Sequence, residues 1–336
     1  MLEKGLYKTI KIGQRRNHFD KYDAMYIFGG SFLASQVVGT IVLLLTNMQM
    51  VAIVFMQAAM FLMVYFYTKD KRVNIEEAIR FKKFKSINIP FLFLLAPCMI
   101  FVMLPIQNAW ANLLEYLGLN IGSVNFDYGS NTIAQILSVL VISVGPMIGE
   151  ETVFRGGIAN GFATDYGKVK AIVFSALLFT IMHSNPMQIW NPLVMGLILG
   201  YVMFKTGSVF AAAIVHFCNN FIVCLLDLLG GETFMQFYDK SWWWLMLIGL
   251  AVGAGVIVAI YFINKENKII EKPLAQIESE NTPLTQIPQN MTYNETLTYR
   301  VVSDGLRSRR FQSKLLMFIS IASCSISIIA ILLGVI

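Results

Sequence analysis

Two carboxylates and a guanidinium, Glu150, Glu151 and Arg155, lie within one apolar run of the chain. At mid-membrane an ionisable residue costs roughly 2.5–3.5 kcal/mol on insertion scales, so such a cluster needs partners or a purpose. The other polar residues expected at similar depth are few: His183, His216 and Asn220. Of the three histidines, His18 falls in a basic stretch and the other two belong to this set. A carboxylate beside an imidazole can act as general base on a water molecule. Imidazole and amide N–H groups can stabilise an oxyanion as it forms. Together these residues imply hydrolysis of a peptide bond without a nucleophilic Ser or Cys.

The elements that must position them are membrane helices. The chain has 336 residues, 56% hydrophobic and 14% charged, with mean hydropathy +0.63. A soluble domain carries roughly 25% charged residues. The long apolar runs predict an all-α, polytopic transmembrane bundle of about eight core spans plus one C-terminal span. The start is basic and polar and does not read as a signal peptide. The net charge of +6 flanks apolar spans, which is the pattern of positive-inside topology and not of a nucleic-acid face. Cys98, Cys218, Cys224 and Cys324 fall in apolar spans without CxxC spacing and read as small buried residues.

The expected organisation is a basic cytosolic tail at 1–23, a membrane bundle at 24–264, a largely disordered cytosolic linker at 265–314 and a last helix at 315–336. Within the bundle the spans are expected at about 24–46, 50–68, 87–106, 132–162, 169–183, 190–204, 208–229 and 242–263. Residues 69–86, where apolar and basic residues alternate, read as an amphipathic segment on the inner membrane face. Residues 107–131 and 230–240 read as outer loops. Asn290 and Asn294 begin weak glycosylation sequons. Walking the Lys/Arg-rich loops through nine spans puts them all on one side, with the N terminus in the cytosol and the C terminus outside, in a plasma membrane. No internal repeat appears, which argues against an inverted-repeat transporter.

The hairpin tip near Tyr166 brings Glu150 and His183 to one depth, roughly 20–25 Å from the tip at 1.5 Å per residue. His216 and Asn220, spaced i, i+4, share a helix face roughly 14–20 Å in. Glu151 and Arg155, also i, i+4, read as a structural ion pair, leaving Glu150 without a charge partner on its own helix. The simpler alternative is a buried polar network that only fixes helix packing.

Glu150-Glu151-Thr-Val-Phe-Arg155, Phe179-Thr-Ile-Met-His183 and His216-Phe-Cys-Asn-Asn220 resemble the EExxxR, FxxxH and HxxxN motifs of the CPBP family, also called the Abi or CAAX-protease and bacteriocin-processing family. The resemblance covers about 135–227. It implies a multi-helix intramembrane endopeptidase, with Glu150 and His183 activating water and His216 and Asn220 stabilising the oxyanion. Glu151, Arg155 and Phe179 are the supporting motif residues. Metal dependence is open. Glu150, His183 and His216 are the candidates for Zn²⁺, although no HExxH motif is present, and metal-free activation is slightly favoured. The expected partners are the lipid bilayer and a membrane-associated peptide or protein substrate, with no nucleic acid and with a possible protein partner at the linker or last span. Nothing in the sequence marks a prenyl pocket. Two other readings stand beside this one: a non-catalytic scaffold or regulator, for instance an immunity protein or sensor-kinase partner, and a proton-relaying transporter.

Overall fold

A computed structural model describes residues 19–71, 73–119, 121, 126–266 and 293–332. Among these the regular elements are all helical. Among the described residues eight helices are long and apolar enough to cross a membrane, and the protein is a multi-pass helical membrane bundle. In chain order the elements are α1 (Lys21–Thr46), α2 (Gln49–Asp70), the single turn α3 (Ile75–Ala78), α4 (Ile89–Tyr116), α5 (Thr132–Glu151), a π-helical segment (Thr152–Ala159), α6 (Asn160–Tyr166), α7 (Lys168–Met182), α8 (Trp190–Thr206), α9 (Val209–Leu225), α10 (Gly231–Ile263) and α11 (Tyr293–Leu332).

Local chemistry sets several boundaries. Asp20 caps α1 in a reciprocal box, accepting from the Tyr22 and Asp23 amides while Asp23 accepts from the Asp20 amide. That satisfies backbone donors a helix start leaves open. Asn131 and Ser208 cap α5 and α9 with their side chains. Gly167 and Gly207, both at positive φ, make the tight turns at one end of the bundle.

The core gathers α1, α2, α4, the π segment and α7–α9 around buried residues such as Ile27, Phe28, Phe154, Phe179, Leu199 and Val215. The α5–α7 hairpin is locked by Ser175, whose hydroxyl donates to the Phe154 carbonyl at 2.8 Å, and by an edge contact between the Phe154 and Phe179 rings. At one end of the bundle the Val209 amide donates to the Arg80 carbonyl at 3.2 Å and Lys85 Nζ to the Ile263 carbonyl at 2.8 Å. The start of α9 and the end of α10 therefore lie together, and the chain reverses between them.

Several expectations change. The fifth expected span, α7, has 15 residues, short of the roughly 20 that a bilayer core requires. It ends where Ser184 enters the left-handed region. The helix through the Glu-Glu stretch widens into a π turn. Helix α4 runs to Tyr116, well into the expected outer loop, and residues 231–240 are helical as the start of α10. Residues 293–314, assigned to the linker, belong to α11. Most of the remaining linker, Asn290 and the tail up to 18 lie outside the described residues. The segment 69–86, read as amphipathic, carries the α-helical turn Ile75–Ala78, keeps most of its charged residues exposed and turns its apolar residues into the bundle. Ala78 and Ile79 are buried, and Ile79 packs on Gly156, where a Cβ would collide with its Cγ2. Its apolar residues plug the end of the bundle.

Candidate active site

Three helices meet at the polar cluster. Helix α5 and the π segment carry Glu150, Glu151 and Arg155; α7 ends at His183; α9 carries His216 and Asn220. The cluster has a buried layer and a more accessible one. In the buried layer, Glu151 is fully buried and accepts at Oε1 from Arg155 Nη1 at 2.7 Å. The same oxygen meets His216 Nδ1 at 2.7 Å. Glu151 is thus more than the partner of Arg155, because it also fixes the His216 ring. A carboxylate only accepts, so Nδ1 carries the hydrogen. His216 Nε2 then faces Glu150 Oε2 at 3.9 Å.

Glu150, whose side chain is 16% exposed, belongs to the accessible layer with His183 and Asn220. Its Oε1 accepts from Gln57 Nε2 at 2.9 Å. The nearest polar partners of Glu150 therefore come from α2 and α9. His183 points its Nδ1 at the Phe179 carbonyl at 2.8 Å, which leaves Nε2 as the acceptor in the neutral ring. Phe179 links the two layers: its ring lies under the Arg155 guanidinium at 4.5 Å and meets the rings of His183 and His216 edge-on at 4.9 and 6.1 Å.

Asn220 has a backbone task. Pro146 lacks an amide hydrogen, so the Ile142 carbonyl one turn earlier has no helical donor. Asn220 Nδ2 reaches that carbonyl at 3.2 Å, and Asn219 Nδ2 donates to Asn220 Oδ1 at 3.3 Å. A kink-prone point in α5 is thereby bound to the helix that carries His216.

Gln57 is the functional candidate that the sequence reading missed. Its signal was a lone amide in an apolar span, with no motif around it. Gly145 and Gly149 let α5 approach it; a Cβ on Gly149 would run into the Gln57 side-chain and main-chain oxygens. Gln57 Oε1, Glu151 Oε2 and Arg155 Nη2 are buried without a hydrogen-bond partner. Orphaned polar atoms concentrated at one place are a mark of a working site.

Among the described residues no three His, Cys, Asp or Glu side chains are grouped so as to hold a metal ion. His183 and His216 each commit Nδ1 to an oxygen of the protein. Such a contact fixes the ring and leaves Nε2 as the nitrogen that would ligate a metal.

Fold and site define a polytopic helical membrane protein with a buried carboxylate–imidazole–guanidinium cluster. Residues 132–222, from the start of α5 into α9, match the family described as type II CAAX prenyl endopeptidase Rce1-like, the CPBP family that the three motifs resemble. No curated protein and no solved structure matches the chain.

Proposed function

We propose that this chain is an intramembrane endopeptidase that hydrolyses a peptide bond of a membrane-associated protein or peptide with water activated by Glu150. At family level the match supports a CAAX-type intramembrane protease. The observation that carries the reading is the chain of contacts Arg155–Glu151–His216–Glu150, in which a buried ion pair orients an imidazole toward a partly exposed carboxylate.

In this mechanism Glu150 takes a proton from water while the water oxygen bonds to the scissile carbonyl carbon. The carbonyl oxygen becomes an oxyanion. Glu150 then returns the proton to the leaving nitrogen as the C–N bond breaks. Gln57 holds one Glu150 oxygen and so directs the other toward water. Protonated His216, with Nδ1–H on Glu151, has an Nε2–H to offer the oxyanion. His183, held through Nδ1, presents Nε2 beside the attacking water. Asn220 contributes its second amide hydrogen to the oxyanion while the first stays on the Ile142 carbonyl. Such preorganised donors are worth most in a site with little water.

With the short α7 counted as a ninth span, the charge pattern supports a cytosolic N terminus and an external C terminus, and the membrane proposed is the plasma membrane. The substrate class favoured is a leader peptide or a small membrane protein.

Wild type and Glu150→Gln expressed at matched levels test the reading by terminal-peptide mass spectrometry of the membrane fraction. Loss of the general base is expected to cut turnover by about 10²–10⁴-fold, so a set of peptide ends vanishes in the variant. Identical profiles, with a loss-of-gene phenotype still rescued by the variant, would replace the enzyme reading with a scaffold. The packing role of Asn220 already gives that alternative one foothold.

A further inference from the structure

At the end of the bundle that carries the Gly167 and Gly207 turns, a cavity of about 100 Å³ is lined by Arg80, Lys82, Glu77, Asn160 and Thr164. It is separate from the cluster around Glu150. Arg80 is held there in an unusual way. Its backbone is in the left-handed region at φ 60, which L side chains adopt at a cost and which marks sites where neighbours over-determine the chain. Its carbonyl accepts from the Val209 amide, its Nε donates to Asn160 Oδ1, and its guanidinium lies 5.6 Å from the Phe204 ring. Asn160 is in turn held by its own donations to Ala78 and Gly156 carbonyls at 3.3 and 2.9 Å.

Among the described residues no carboxylate pairs with Arg80. Burial alone lowers its pKa to about 10, with no acid opposing the shift. Elsewhere among the described residues the buried Arg155 is matched with Glu151, and the part-buried Arg309 with Asp20 and Asp23. A fixed, largely buried guanidinium beside a lysine, ion-paired with no carboxylate among the described residues although Glu77 shares the lining, is an arrangement that can receive an oxyanion. Lys83 and Lys85 continue the basic string, and basic clusters at a membrane end attract anionic headgroups.

We propose that the cavity framed by Arg80, Lys82, Asn160 and Thr164 binds a phosphate group, presented by an anionic lipid headgroup or by a soluble phosphate. The occupant bridges the 75–85 strap to the helix that carries Glu151, because Asn160 and Ile79 both rest on Gly156. Glu77, which also lines the cavity, opposes the occupant by charge.

The test uses the purified full chain in neutral detergent. Short-chain phosphatidylglycerol, short-chain phosphatidylcholine and inorganic phosphate are titrated separately, and binding is read by native mass spectrometry and by the shift in thermal unfolding. The expected result is that phosphatidylglycerol binds at least about tenfold tighter than phosphatidylcholine. Lys82→Gln weakens it several-fold, Glu77→Gln strengthens it, and Lys83→Gln, one residue off the cavity, leaves it unchanged. If inorganic phosphate binds with the same variant pattern, the site takes soluble phosphate as well; if it does not, the site is a lipid site. Arg80→Gln should abolish binding. Because that variant also removes the bond to Asn160, the two milder lining variants decide the outcome. Equal binding of the two lipids, or equal weakening by Lys82→Gln and Lys83→Gln, would overturn the site in favour of a diffuse basic surface.

Discussion

Asn220→Ala removes the donor that the Ile142 carbonyl receives in place of the amide Pro146 lacks. A buried polar group left unsatisfied costs about 1–3 kcal/mol, and a loss of stability of that order is expected in thermal unfolding of the detergent-purified protein. Pro146→Ala in the same chain restores an amide at the right place in the helix. The double variant should therefore regain most of the lost stability. If proteolysis returns with it, Asn220 acts only through packing; if stability returns and proteolysis does not, Asn220 also contacts the reacting carbonyl, as proposed. Gln57→Leu is expected to behave differently. It leaves Glu150 Oε1 without its donor and should lower turnover by about tenfold or more through mispositioning of the base. Gln57→Glu should be worse, because it sets a second carboxylate against Glu150. A progress curve on the substrate identified by mass spectrometry checks both.

At the scale of elements, the contact between the 75–85 strap and the π segment is the joint to probe. Gly156 exists because Ile79 occupies the space its side chain would need. Gly156→Ala should destabilise by about 1–3 kcal/mol, as overpacking does, and Ile79→Ala in the same chain should relieve part of that loss, as measured by thermal unfolding. This joint was not legible in the sequence. An alternation of apolar and charged residues looks the same for a helix lying on a membrane as for a strap whose apolar residues turn into the bundle. The π turn was equally hidden, since Thr152–Ala159 carries no local signal beyond its paired glycines. What could be read was the chemistry. Glu150, Glu151, His183, His216 and Asn220 stand out as rare polar residues in apolar runs, and helical spacing sets which of them share a face. Gln57 escaped because its place in the site depends on how α2 packs against α5, which sequence spacing on either helix does not encode.

At the scale of the whole molecule, the orientation proposed from charge has a direct check. The four native cysteines are buried, so background labelling by a membrane-impermeant maleimide should be low. Glu76→Cys, on the strap, should label only after the membrane is permeabilised to admit the reagent to the cytosolic side. Asp127→Cys, at the opposite end, should label in intact cells. The reverse pattern would invert the topology and place the proposed phosphate site at the outer leaflet. The last helix ties distant parts of the chain into this bundle. Arg309 pairs with Asp20 and Asp23 at the head of α1, Asp23 also accepts from Tyr67 at 2.5 Å, and Ser320 donates to the Gly29 carbonyl at 3.3 Å further along. The partnership spans 286 positions between Asp23 and Arg309. A ribosome therefore completes α1 long before it supplies this cation. Until α11 emerges, the two acids at the first helix must do without the guanidinium that later sits between them. Docking of α11 then marks how far synthesis has gone, distinguishing a chain that already carries α11 from one that does not yet by the charge balance at the head of α1.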